Sequence, residues 1–175
     1  MENIRACYDL ESHPIDPDQF RFQIFTDASF DPERNLSGWA FVVTDGTQEL
    51  ASEWGQAITK SNNAAEALAF LHALRWCGSH GHNDATIWTD SAYVVEACET
   101  WIAIWRTNGW RKIDPNPKNR KRRIADQELW QTIDRELSSH PLIQVVWCKG
   151  HVGNIYNEQA DRLATMARVR PQQRS

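Results

Sequence analysis

The chain has 175 residues, 41% of them hydrophobic and 24% charged, with a formal net charge of −4. That is enough for one domain with its own core, and too balanced a composition for a disordered or fibrous chain. No apolar run reaches membrane-spanning length, and the start Met1 to Tyr8 lacks the basic opening and apolar core of a signal peptide, so an intracellular protein, cytoplasmic or nuclear, is expected.

Residues 1–19 are polar, contain Pro14 and Pro17, show no period, and read as a tail or linker. Phe20 to Asp27 reads as a strand, Asp31 to Asn35 as a turn, and Trp39 to Thr44 as a second strand. Asp45-Gly46 is a hairpin signal leading into a third strand, Glu49 to Trp54. Ser61 or Asn62 caps a helix expected to run to Cys77, with Ala65, Leu68, Ala69, His72 and Trp76 at helical spacing. Ala85 to Thr89 is a short strand, and helical sequence follows from Asp90 or Ser91 to Asn108. Gly109, Pro115 and Pro117 break that pattern; a helix is expected over Ala125 to Ser138, a strand over Leu142 to Cys148 and a final helix over Asn154 to Arg168.

Strands that arrive after helices must cross over the sheet, so the fourth and fifth are expected to pair in parallel. The fold class predicted is α/β, a five-stranded mixed sheet flanked by helices on both faces. Cys7, Cys77, Cys98 and Cys148 show no paired C-x-x-C spacing and read as free thiols, three of them in the core.

Four acids sit in local sequences that look built to hold a carboxylate: Asp27 in FTDAS, Glu66 in NNAAEA, Asp90 in WTDS, and Asp161 ten residues after His151. Asp27 and Asp90 fall where apolar strands are expected to end, and Glu66 and Asp161 lie on helices among Ala and Leu. Carboxylates in apolar settings need compensation, and no Lys or Arg adjoins Asp27, Glu66 or Asp90 in sequence. A shared divalent cation supplies it, which points to metal-dependent phosphoryl transfer. As a cap before a helix Asp90 alone would be unremarkable; four such acids together would not.

The net charge also conceals a pattern. Arg106 to Arg123 holds eight basic residues against Asp114, a local +7 that leaves −11 on the rest. A basic stripe on an acidic body suggests a phosphate-backbone partner, although a solvated loop or a nuclear-localisation patch would read the same way.

These motifs, with Lys149-Gly150-His151 before Asp161, closely resemble type 1 ribonuclease H over roughly residues 20–168. The resemblance implies a ribonuclease H-like fold in a domain spanning residues 20–170. It also implies hydrolysis of the RNA strand of RNA·DNA hybrids, leaving 5′-phosphate and 3′-hydroxyl ends. Two Mg²⁺ ions, with Mn²⁺ able to substitute, would be held by Asp27, Glu66, Asp90 and Asp161. Asp27 would bridge them, and His151 would assist proton transfer or product release. Ser61, Asn62 and Asn63 would contact the substrate, the asparagines reading 2′-hydroxyls in the minor groove. Trp101, Trp105, Arg106, Trp110, Arg111, Lys112, Lys118 and Lys121 resemble the family's basic handle, which clasps the hybrid. A monomer is expected, as a minimal enzyme or as a domain of a larger retroelement protein.

The sequence departs from the family at Ala28, where Gly is common, at Ala64, where a long polar residue is frequent, and at Ala92, where Gln often stands. These positions bear on affinity and selectivity, not on the carboxylates. A non-catalytic hybrid- or double-stranded-RNA-binding module, and another nuclease or integrase of the same fold, are the alternatives.

Overall fold

The computed structural model describes residues 22–112, 116, 118, 122–150 and 153–170; the expected tail at 1–19 lies outside them, as do Lys121 and His151. Five strands form one sheet in the order β3-β2-β1-β4-β5. They are β1 (Gln23–Asp31), β2 (Leu36–Thr44), β3 (Glu49–Ile58), β4 (Thr86–Thr89) and β5 (Gln144–Trp147). The first three form an antiparallel meander, whereas β4 pairs in parallel with β1 and β5 in parallel with β4. The parallel pairing of the late strands is what the crossovers require.

One boundary differs from the sequence reading in a way that matters. The strand expected to stop at Asp27 continues to Asp31, paired residue for residue with β2 down to Leu36. Asp27 is therefore mid-strand, opposite Ala40, because the antiparallel ladder with β2 satisfies the backbone well past the last large apolar residue of the expected strand.

Helix α1 (Asn62–His80) starts at Ser61, whose Oγ accepts the Ala64 N–H at 3.1 Å. It runs three residues beyond its expected end, through Gly78, and stops at Gly81, whose φ of 72° is the left-handed conformation that glycine adopts without penalty. Ala65, Ala67, Ala69 and Ala73 are fully buried along it, so its backbone approaches the sheet closely. Helix α2 (Ala92–Glu96), a π-helical turn (Ala97–Trp101) and helix α3 (Ile102–Thr107) form one continuous helical run. Helices α4 (Gln127–Ser139) and α5 (Ile155–Val169) complete the described elements.

Neighbouring residues on β2 identify the two faces. Trp39 stacks on His72 of α1 with ring centroids 3.6 Å apart. The next residue back, Gly38, touches α5: a β-carbon there would lie 2.5 Å from the Arg168 nitrogen and closer still to the Ala164 carbonyl oxygen. Successive strand residues point to opposite faces, so α1 and α5 cover opposite sides of the sheet. The main core lies on the α1 side, from Ile24, Phe41, Phe70 and Leu74 to Trp130 and Ile133 of α4. Phe25, Trp88, Val146 and Cys148 form a smaller cluster that Tyr156 of α5 packs against.

Candidate active site

Three acids from three separate elements meet at one point. Asp27 comes from the middle of β1, Glu66 from the first turns of α1, and Asp90 from the residue after β4. Each offers a carboxylate oxygen within 4.8 Å of the others. Local chemistry explains each placement. Ser61 fixes the start of α1, which puts Glu66 one turn inside the helix. Ser91, not Asp90, caps α2, its Oγ accepting the Val94 N–H at 3.4 Å. Asp90 is thereby released from the capping role its position suggested.

The electrostatics show that the cluster is costly when bare. Burial raises Asp27 to about 8; Asp90 and Asp161 push the same way, while the Ala28 N–H, bonded to Oδ1 at 2.7 Å, opposes them. Glu66 is also raised well above the usual carboxylate range, by burial first and then by Asp27 and Asp90. A hydrogen bond from Asn62 pulls it down, and Asp161 adds to the rise. Asp161 is outside the tight group of three, yet its charge reaches both Asp27 and Glu66 from α5.

The arrangement fits a hard divalent cation. Glu66 Oε2 is buried without a hydrogen-bond partner among the described residues, so that oxygen is left over for a ligand. All the donors are carboxylate oxygens, the set that Mg²⁺, Mn²⁺ and Ca²⁺ prefer over softer metals. Like charges this close cannot all ionise unless a cation neutralises them.

The proposed substrate residues divide into two groups. Asn62 and Asn63 are exposed beside Glu66, and Asn62 is already engaged with that carboxylate. Arg111 and Lys112 are exposed and closed against Arg122 and Arg123: Arg111 and Arg123 form an antiparallel bridge, and the Lys112 N–H donates to the Arg122 carbonyl at 3.0 Å. Lys118 is exposed in the same basic stretch. Arg106, however, is held by Asp134 of α4 through both its Nε and Nη2.

Trp101, Trp105 and Trp110 are also committed to packing. Trp105 lies 5.8 Å from Trp101, 6.2 Å from Trp110 and 5.8 Å from the buried Trp130, centroid to centroid. They root the basic segment in the core. The pairing of Arg122 and Arg123 with Arg111 and Lys112 was not legible in the sequence, where all four were parts of one charge run. Nor was the neighbourhood of Asp90, where the Trp147 indole donates to the Asp90 carbonyl at 3.0 Å.

The family model described as RNase H matches residues 20–168. The chain belongs to the ribonuclease H family. It is 36% identical over 141 residues to the ribonuclease H of Nitrobacter hamburgensis, covering 81% of this chain and 87% of that protein. It is 30% identical over 159 residues to the ribonuclease H of Treponema denticola, covering 83% and 95%. The fold resembles that of a foamy viral protease-reverse transcriptase solved in complex with RNA/DNA hybrid, with a TM-score of 0.72 at 19% identity. That match takes in 95% of this chain but only 22% of the viral protein. Ribonuclease H chemistry is metal-dependent, and the acidic triad of this member is present and assembled.

Proposed function

We propose that this chain is an endoribonuclease that hydrolyses the RNA strand of RNA/DNA hybrids, leaving 5′-phosphate and 3′-hydroxyl ends. The observation that carries the reading is the convergence of Asp27, Glu66 and Asp90 within 4.8 Å in a chain of the ribonuclease H family. With Asp161 these carboxylates would hold two Mg²⁺ ions, or Mn²⁺ in their place. Bound there, such ions supply an activated water and neutralise charge at the scissile phosphate.

The chain's own residues do the positioning. The Ala28 N–H fixes one oxygen of Asp27, and Asn62 orients Glu66. Asn62, Asn63 and Ser61 lie at the start of α1, next to the site, where they would meet the minor groove of the hybrid. Arg111, Lys112, Lys118 and Lys121 would contact phosphates without reading sequence, carried on the tryptophan-rooted segment. His151 would move a proton or ease product release. The working unit is residues 20–170, acting as a monomer inside the cell.

A cleavage panel tests this: RNA/DNA hybrid, double-stranded RNA, single-stranded RNA and duplex DNA, each with Mg²⁺ and with EDTA. Only the hybrid is expected to be cut, on its RNA strand, and EDTA to stop it. Asp27→Asn and Asp90→Asn are expected to abolish cleavage while the protein stays folded. Full activity of either in Mg²⁺ would refute the site, and hybrid binding without turnover in either metal would instead mark a binding module.

A further inference from the structure

We infer that the segment Trp147 to Gly150 positions the Asp90 carboxylate, and that residue 150 must lack a side chain for Asp90 to stand where it does. The inference rests on the reading of Asp90 as a metal-holding carboxylate.

Two bonds fix the backbone leading into the site. The Cys148 N–H donates to the Thr89 carbonyl at 2.9 Å, extending the β4–β5 pairing past its last strand residues. The Trp147 indole N–H then donates to the Asp90 carbonyl at 3.0 Å. Gly150 completes the seat by lying against the carboxylate itself. A β-carbon there would overlap Asp90 Oδ2 and sit 3.4 Å from Cγ and 3.5 Å from Cβ. Gly150 is not among the glycines with positive φ, which are Gly46, Gly81, Gly109 and Gly153. The backbone at 150 is outside the left-handed region that calls for glycine; the contact with Asp90 is what excludes a β-carbon.

The other side of the segment is anchored to α5. Cys148 Sγ bonds Asn157 Oδ1 at 3.4 Å, and both residues are buried. Asn157 precedes Asp161 by four residues and so shares its helix face. One short stretch thus ties the residue after β4 to the helix that carries Asp161. The separation of Asp90 and Asp161 is set through this backbone.

The test uses Gly150→Ala, Trp147→Phe and Asp90→Asn in the full chain, read by calorimetric Mn²⁺ binding without substrate, by kcat and KM on the hybrid, and by melting temperature. Gly150→Ala is expected to lower kcat by roughly 10²-fold, the scale of a 1 Å misplacement. It is expected to weaken Mn²⁺ binding, with KM and melting temperature close to the parent's. Trp147→Phe keeps most of the ring and loses the N–H, and should weaken Mn²⁺ binding by about tenfold, as supporting hydrogen bonds around metal ligands do.

Parent-like kcat and Mn²⁺ affinity in Gly150→Ala would overturn the inference, as would a rise in KM alone, which would make the segment a substrate contact. If Gly150→Ala does not fold, Trp147→Phe decides: parent-like metal binding overturns the inference, and weakened binding supports it. Asp90→Asn separates the two levels. If it leaves cleavage and Mn²⁺ binding intact, the function of Asp90 itself is wrong; if it abolishes them while both positioning variants are silent, only the positioning is wrong.

Discussion

Arg106 and Asp134 form a two-pronged ion pair, with Nε to Oδ2 at 3.1 Å and Nη2 to Oδ1, that ties the last turn of α3 to α4. Arg106 belongs to the basic run, but its guanidinium is spent on the protein. The pair is more exposed on the arginine side (57%) than on the aspartate side (14%), so it is a brace at the surface and not a buried bridge.

Breaking that brace should loosen the basic segment more than it destabilises the fold. Asp134→Asn is expected to raise KM for the hybrid by up to about fivefold, the equivalent of a surface pair worth at most ~1 kcal/mol, with kcat unchanged. The charge-swapped double variant Arg106→Asp with Asp134→Arg should recover part of the loss. A double-mutant cycle on KM checks it, and additive losses would show that the pair does not act as a unit.

The carboxylate cluster sets the sign of one pH effect. Asp27 is raised from 3.8 to about 8, so between those values the folded metal-free protein binds a proton that the unfolded chain has released. Its contribution to stability is therefore present at low pH and lost as pH rises towards 8. Glu66 acts in the same direction. In EDTA, Asp27→Asn should melt higher than the parent at pH 8 and show less advantage at pH 5. Adding Mg²⁺ should raise the parent's melting temperature more at pH 8 than at pH 5. Scanning melts with and without Mg²⁺ at both values measure this.

His72 gives the opposite sign. Burial, with help from Arg75, lowers its pKa from 6.5 to about 4, so it is neutral in the fold where the unfolded chain would already be protonated. Stability from this residue is present above about 6.5 and is lost as pH falls towards 4. His72→Phe keeps a ring against Trp39 and removes the titration. Its difference from the parent should grow in favour of the variant as pH falls from 7 to 4.5, read as urea midpoints in a single buffer series.

Gly38 is the position where the sheet touches α5 backbone to backbone. A methyl group there meets the Ala164 carbonyl and the Arg168 amide, neither of which can swing aside. Gly38→Ala should cost at least the ~1–3 kcal/mol typical of overpacking. A lowered urea midpoint at unchanged slope is the expected result. An unchanged midpoint would mean that α5 can ride outward freely.

The order of strands and helices along the chain, and Asp27, Glu66 and Asp90 as the acids that converge, were legible because each rests on local pattern: apolar strands ended by turns, a Ser-capped alanine helix, acids in apolar runs. What stayed hidden depends on contacts between distant segments. The end of β1 was misplaced because the ladder with β2 continues through Ser29, Phe30 and Asp31, which show little alternation of their own. Arg106 looked like any other cation of the run until α4 supplied Asp134. Trp101 and Trp105 share a helical spacing that the sequence shows, but only the fold brings Trp130 against Trp105. Ser91 as cap is the smallest example: two adjacent residues could start α2, and the one freed by the choice joins the acidic site.

The π-helical turn from Ala97 to Trp101 has a consequence for how this protein can change over generations. Such a turn accommodates an extra residue within an α-helix, and each residue advances an ordinary helix by about 100°. Excising one residue from that turn would close it into ordinary α-helix and leave α3 where it is, whereas excising one from an α-helical turn would swing everything downstream by that angle. Trp105 would keep its place against the core and Arg106 its place against Asp134. The turn is thus a place where this helical run can gain or lose one residue without re-aiming the basic segment, a tolerance that the α-helical turns on either side of it lack.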